Sequence, residues 1–134
     1  KYDFNDKVSI NNSYNYHSMN WNNIIELDKN KYFIIGGHSH HHEILSNLPD
    51  RLMKKEIKQC LDLLSAKLKK KIRHFSYPEG LSQHFNNNVI KFLKKKGIII
   101  CPTAINGVNF KNQNLFKLKR IMVGMNNISF PFKI

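Results

Sequence analysis

A chain of 134 residues, 41% of them hydrophobic, has room for one domain with a true core and no room for two. Its formal charge of +13 would ordinarily point to nucleic acid or an acidic surface. The lysines, however, gather in short blocks (Lys54-Lys55, Lys67-Lys69-Lys70-Lys71, Lys94-Lys95-Lys96) at predicted helix ends and outer faces, where cations complement the helix dipole, and no nucleic-acid recognition motif accompanies them.

That distribution makes nucleic acid an unlikely partner and leaves a polyanionic glycan open. No apolar run is long enough to span a membrane, and no signal peptide opens the chain, so cytoplasmic and envelope-associated locations both stay open. The two cysteines, Cys60 and Cys101, sit in neither a CxxC pair nor a zinc-finger spacing and read as small buried hydrophobes.

Residues 1–20 are polar, rich in Asn and without a steady hydrophobic period, and are expected to form an extended loop. Trp21, Ile24, Ile25 and Leu27 then recur at near-helical spacing behind Asn20, a good N-cap, which predicts a short helix ending near Lys29. The apolar run Tyr32-Phe33-Ile34-Ile35 predicts a buried strand, closed by Gly36-Gly37.

Four histidines follow, in His38-Ser39-His40-His41-His42. Imidazole is the commonest metal ligand. A helical turn beginning after Gly37 would put His38 and His42 on one face, with His40 and His41 pointing elsewhere. A histidine run is also what a tag or a solvated loop looks like. Here the run lies in mid-chain between an apolar strand and Ile44-Leu45, which favours a metal site.

Met53, Ile57, Cys60, Leu61, Leu64 and Leu68 predict a long amphipathic helix over residues 50–70. Ile72 to Tyr77 reads as a strand stopped by Pro78-Glu79-Gly80. A helix over Gln83 to Lys96 would bury Phe85, Val89, Ile90, Phe92 and Leu93 and end at Gly97. Ile98 to Cys101 is a fully apolar strand before Pro102, Asn106 to Asn114 is a loop, and Leu118 to Val123 is a last strand carrying Arg120. Strands alternating with helices through short loops are the pattern of a parallel α/β sheet, whose working groups collect at the C-terminal ends of the strands.

Three stretches, taken in order, carry a family resemblance. They are Ile35-Gly36-Gly37 with His38-Ser39-His40-His41-His42-Glu43-Ile44-Leu45; Phe75-Ser76-Tyr77-Pro78-Glu79-Gly80; and, more loosely, Thr103 to Asn109 with Leu118-Lys119-Arg120-Ile121. Together they resemble the metal motif, the Tyr-Pro-x-Gly motif and the late strands of the polysaccharide deacetylases, the NodB-homology family. The resemblance runs from Trp21 to near the C-terminus. It implies an α/β fold, a partial (β/α) barrel of the NodB type lacking its N-terminal strands, with residues 21–134 as the C-terminal portion of that domain.

It also implies an activity, metal-dependent hydrolysis of the amide carbon–nitrogen bond that holds an acetyl group on a polysaccharide or amino sugar. His38 and His42 would hold a divalent cation, most often zinc. The backbone N–H of Glu79 would serve as oxyanion donor, Tyr77 and Pro78 would line the groove for an N-acetylated carbohydrate, and Arg120 would orient an acidic catalytic residue or act as an ion-pair partner. His74 and His84 are candidate general acids by residue type alone.

The family's adjacent pair of aspartates, its catalytic base and third metal ligand, has no match here, because Asp3 and Asp6 lie too close to His38. The base is therefore absent from this chain, and the expectation is a chain that starts downstream of the first two strands. Two other readings remain: a catalytically inactive carbohydrate-binding remnant and, with charge as its only support, a basic nucleic-acid-binding domain.

Overall fold

The computed structural model describes residues 18–121. Helix α1 (Trp21–Lys29) starts where the sequence places it: the Asn20 side chain accepts from the Asn23 N–H while the Asn23 side chain accepts from the Asn20 N–H, a reciprocal cap. It rests on the end of helix α2 (Asp50–Leu68) through an Asp28–Lys70 ion pair and the Lys67 ammonium, 5.5 Å from the centre of the Trp21 ring. Part of the lysine excess thus covers aromatic surface between elements. Lys94 lies over Phe116 and Lys54 over Phe92 in the same way.

Helix α2 turns Met53, Ile57, Cys60 and Leu61 into the core, as their spacing requires, and ends at Leu68. Helix α3 (Asn87–Lys95) is shorter than expected because Asn86 caps it, accepting from the Asn88 and Val89 N–H groups. Gln83 to Phe85 stay outside the helix, although Phe85 is still buried. Gly97, with φ +83°, ends α3 in the left-handed conformation that glycine takes without strain.

Among the described residues the strands and bridges are all parallel. Strand β1 (Pro102–Asn106) pairs with β2 (Leu118–Arg120), and single bridges join Gly37 to Phe75 and His74 to Ile100. The order Gly37, His74-Phe75, Ile100 to Asn106, Leu118 to Arg120 follows the chain, with α2 and α3 as crossovers, and it forms part of a wall without closing a barrel.

Several strand boundaries differ from expectation. Residues 72–77 are bridged only at His74 and Phe75, and 98–101 only at Ile100. Pro102 opens β1 instead of ending a strand, a position where its missing N–H costs no ladder bond. The last strand is described as far as Arg120; Met122 and Val123, like the expected loop over residues 1–17, lie outside the described residues.

The largest correction concerns Tyr32 to Ile35. This run is not a strand, and Tyr32 is 80% and Ile34 68% exposed. A strand needs a ladder partner, and among the described residues its one neighbour, Arg73 to Ser76, engages only from Gly37 onward. The core lies between α2, α3 and the parallel wall, and its fully buried members include Leu45, Ile57, Phe75, Tyr77, Val89 and Leu93. Among the described residues no helix is long and apolar enough to cross a membrane.

Candidate active site

The histidine stretch leaves the wall at Gly37, whose N–H donates to the His74 carbonyl and whose own carbonyl accepts from the Ser76 N–H. It does not become a helix. Ser39 and His42 both adopt φ +60°, a left-handed conformation that costs a non-glycine residue about 1–2 kcal/mol. These two reversals curl the loop, so that His38 and His42 meet edge to face with ring centroids 4.8 Å apart. The pair expected on one helical face is therefore brought together by a turn. His40 and His41 form a separate edge-to-face pair at 4.4 Å.

Glu56 of α2 holds the middle of this loop. Its Oε2 accepts from the His40 N–H at 3.0 Å and the His41 N–H at 2.8 Å, and its Oε1 lies 2.6 Å from His41 Nδ1. The residue is only 7% exposed. Burial by itself would raise its pKa. The His41 ring and the two backbone N–H groups outweigh that effect, and the carboxyl sits below its ordinary value. Hydrogen bonds to a charged group contribute about 1.5–3 kcal/mol each, enough to offset both left-handed residues. Residue type alone did not reveal Glu56. The available signal was an acid one residue before Ile57 in the apolar stripe of α2.

His38 Nδ1 lies 2.9 Å from the Ser76 carbonyl oxygen and 2.8 Å from the Ser76 hydroxyl. A carbonyl only accepts, so a bond to it requires the proton on Nδ1 and leaves Nε2 with its lone pair. That is the arrangement in which imidazole binds a metal. The Ser39 hydroxyl oxygen, between the two histidines in sequence, is buried with no hydrogen-bond partner. Two imidazoles and an unmet polar group fit part of a metal site. The set is incomplete, since among the described residues no three His, Cys, Asp or Glu side chains converge.

Across the strand ends, His42, Glu43, Asn47, Glu79 and His84 line a cavity of about 450 Å³. A larger hollow of about 760 Å³ beside α1 is lined by Asn20, Asn23 and Glu26 and contains none of the histidines. Glu79 takes φ +59° and Gly80 φ +71°. A Cβ on Gly80 would stand 2.8 Å from the Ala104 nitrogen, whose N–H donates to the Gly80 carbonyl, so glycine is needed to join this turn to β1. Among the described residues the Glu79 N–H donates to nothing. His84 lines the cavity with Nδ1 accepting from the Leu81 N–H, whereas His74 sits in the wall and is not a cavity residue.

Three expected groove or site residues lie elsewhere. The Tyr77 side chain is buried, stacked on Phe85 at 4.3 Å, and its hydroxyl donates to the Phe116 carbonyl at 3.0 Å. Pro78 is buried beside it. Both form the floor beneath the turn, not a groove wall, because the Tyr77 hydroxyl finds its acceptor in the interior. Arg120 donates through Nε to the Thr103 carbonyl and makes no ion pair among the described residues, so it ties β2 to β1.

The model of the family described as "Polysaccharide deacetylase" matches residues 7–100. The chain belongs to the polysaccharide deacetylase family. No curated protein gives a significant match. Among solved structures, the chain is similar to the Streptococcus pyogenes deacetylase PplD in complex with acetate, with TM-score 0.72, 17% identity, and 83% of this chain aligned to 47% of that one. IcaB from Ammonifex degensii aligns with TM-score 0.67 and 21% identity over 79% of this chain and 48% of that one. The BpsB deacetylase domain from Bordetella bronchiseptica aligns with TM-score 0.69 and 18% identity over 78% and 49%. The fold is thus a partial NodB-type α/β wall, and the chain spans about half the length of these structures.

Proposed function

We propose that this chain provides the metal-binding and oxyanion side of a deacetylase acting on an N-acetylated polysaccharide or amino sugar. The observation that carries the proposal is the His38–His42 pair, with His38 Nδ1 2.9 Å from the Ser76 carbonyl oxygen, beside a cavity that His42 shares with Glu79. In this reading His38 and His42 hold a divalent cation, zinc by the chemistry of the donors. Such an ion, when bound, polarises an amide carbonyl and lowers the pKa of water. The Glu79 N–H, held by a rigid turn, donates to the oxygen of the tetrahedral species. His84 offers Nε2–H in its neutral tautomer, because Nδ1 already accepts from Leu81.

The base and third ligand, which the family draws from an adjacent aspartate pair, have no counterpart in this sequence. A second reading is a carbohydrate-binding module without hydrolytic power. Zinc titration by calorimetry on the 134-residue chain and on a His38→Ala, His42→Ala double variant tests the metal pair. One zinc bound by the parent and none by the variant is expected; equal binding by both refutes the site. Acetate release from N-acetylglucosamine oligomers by the product of the full reading frame separates the readings. Release that depends on zinc supports the enzyme, whereas oligomer binding without release supports the module.

A further inference from the structure

The position of Glu56 gives a role to a residue outside the metal pair. Its two oxygens take both N–H groups at the apex of the histidine loop and the His41 ring, from a helix whose neighbouring turns are anchored in the core by Met53, Ile57 and Cys60. The loop arms on either side of that apex hold the two left-handed residues, Ser39 and His42. We infer that Glu56 is a positioning residue for metal capture: it clamps the backbone at His40 and His41 so that His38 and His42 converge, and it does not touch the ion itself.

This inference rests on the His38–His42 reading above. The clamp works through backbone N–H donors, which accounts for adjacent histidines with different tasks. His38 and His42 face each other, while the His41 ring is spent on the clamp and is 63% exposed at the surface.

Three variants of the 134-residue chain, titrated with zinc by calorimetry, test it. Glu56→Met keeps the side-chain volume and removes both acceptors, and zinc affinity is expected to fall about 10- to 100-fold, the usual cost of losing an outer support. Glu56→Gln keeps one carbonyl oxygen for the two backbone N–H groups and should stay within about threefold of the parent, a rescue by the acceptor alone. His41→Ala leaves the backbone clamp and should also stay within about threefold. Circular dichroism melts confirm that each chain is folded.

A folded Glu56→Met chain that binds like the parent overturns the clamp, as does a folded Glu56→Gln chain that binds no zinc. Loss of binding in His41→Ala would make His41 a ligand and refute the proposed division of tasks. A parent chain that binds no zinc refutes the metal reading itself, and the clamp with it.

Discussion

His38 Nδ1 sits within hydrogen-bond distance of two oxygens of Ser76, 2.9 Å from the carbonyl and 2.8 Å from the hydroxyl, so the choice between them fixes the tautomer of the ring. The two acceptors differ in consequence. If the carbonyl is the partner, Nδ1 holds the proton and Nε2 is free for a metal. If the hydroxyl donated instead, the proton would sit on Nε2 and block it. Ser76→Ala removes only the hydroxyl and is expected to change zinc affinity less than about threefold, an ordinary cost for a redundant bond of about 0.5 kcal/mol. Nitrogen-15 spectra of the imidazole in parent and variant should both report the Nδ1–H form; an Nε2–H form in the parent would contradict the assignment.

Tyr77 is a core residue with a polar tip, and its hydroxyl meets the carbonyl of Phe116 just ahead of β2. Tyr77→Phe keeps the stack on Phe85 and strands that buried carbonyl, so a loss of about 1–2 kcal/mol is expected in urea unfolding. Tyr77→Ala removes the ring as well and should cost about 3–5 kcal/mol, enough to unfold a marginal domain. If the Phe variant proves as damaging as the Ala variant, the ring stack contributes nothing and this account fails.

The sequence reading reached the helices most closely, since each has a local cause. Asn20 and Asn86 are short polar caps, and the stripe from Met53 to Leu68 has the period of a helix wherever it is placed. His38 and His42 do come together, although not through the helical turn that their spacing suggests. The two residues meet because Ser39 and His42 turn left-handed, which no hydrophobic period encodes. The error at Tyr32 to Ile35 has a different source: apolar composition marks a segment that wants burial, but the partner that would bury it is not among the described residues. The Tyr-Pro-x-Gly motif puts Tyr77 beside the groove by resemblance, and nothing near it in sequence signals the Phe116 carbonyl, 39 residues away, that draws its hydroxyl inward.

Gly37 joins the wall to the histidine loop, and its lack of a side chain is a packing requirement. A Cβ there would stand 2.7 Å from Cδ2 of Phe75 and 3.2 Å from Sγ of Cys60. The Phe75 ring is buried and cannot swing aside, so Gly37→Ala is expected to cost about 1–3 kcal/mol by overpacking. It should also displace His38 and weaken zinc binding in proportion. Trimming the opposing sulfur with Cys60→Ala relieves only the looser contact, so the double variant should recover little of the lost stability. Recovery of most of it would place the clash on the sulfur and not on the ring.

Cys101 is buried beside Tyr77, and loss of hydration pushes its thiol up to about 12, with Tyr77 raised for the same reason. The folded chain therefore keeps the proton where an unfolded thiol, near its ordinary value of about 8.5, gives it up. At pH below that ordinary value both states are protonated and the stabilisation is fully present. As pH rises past it the unfolded state binds fewer protons than the folded one, and stability falls until the folded thiol ionises as well. The urea midpoint is thus expected to decline between about pH 9 and 12, and less steeply in Cys101→Ala, which lacks this titration. At pH 8 iodoacetamide should label Cys101 only after urea is added. Rapid labelling of the folded chain, or an alkaline decline equal in parent and variant, would show that Cys101 is neither buried nor the group responsible.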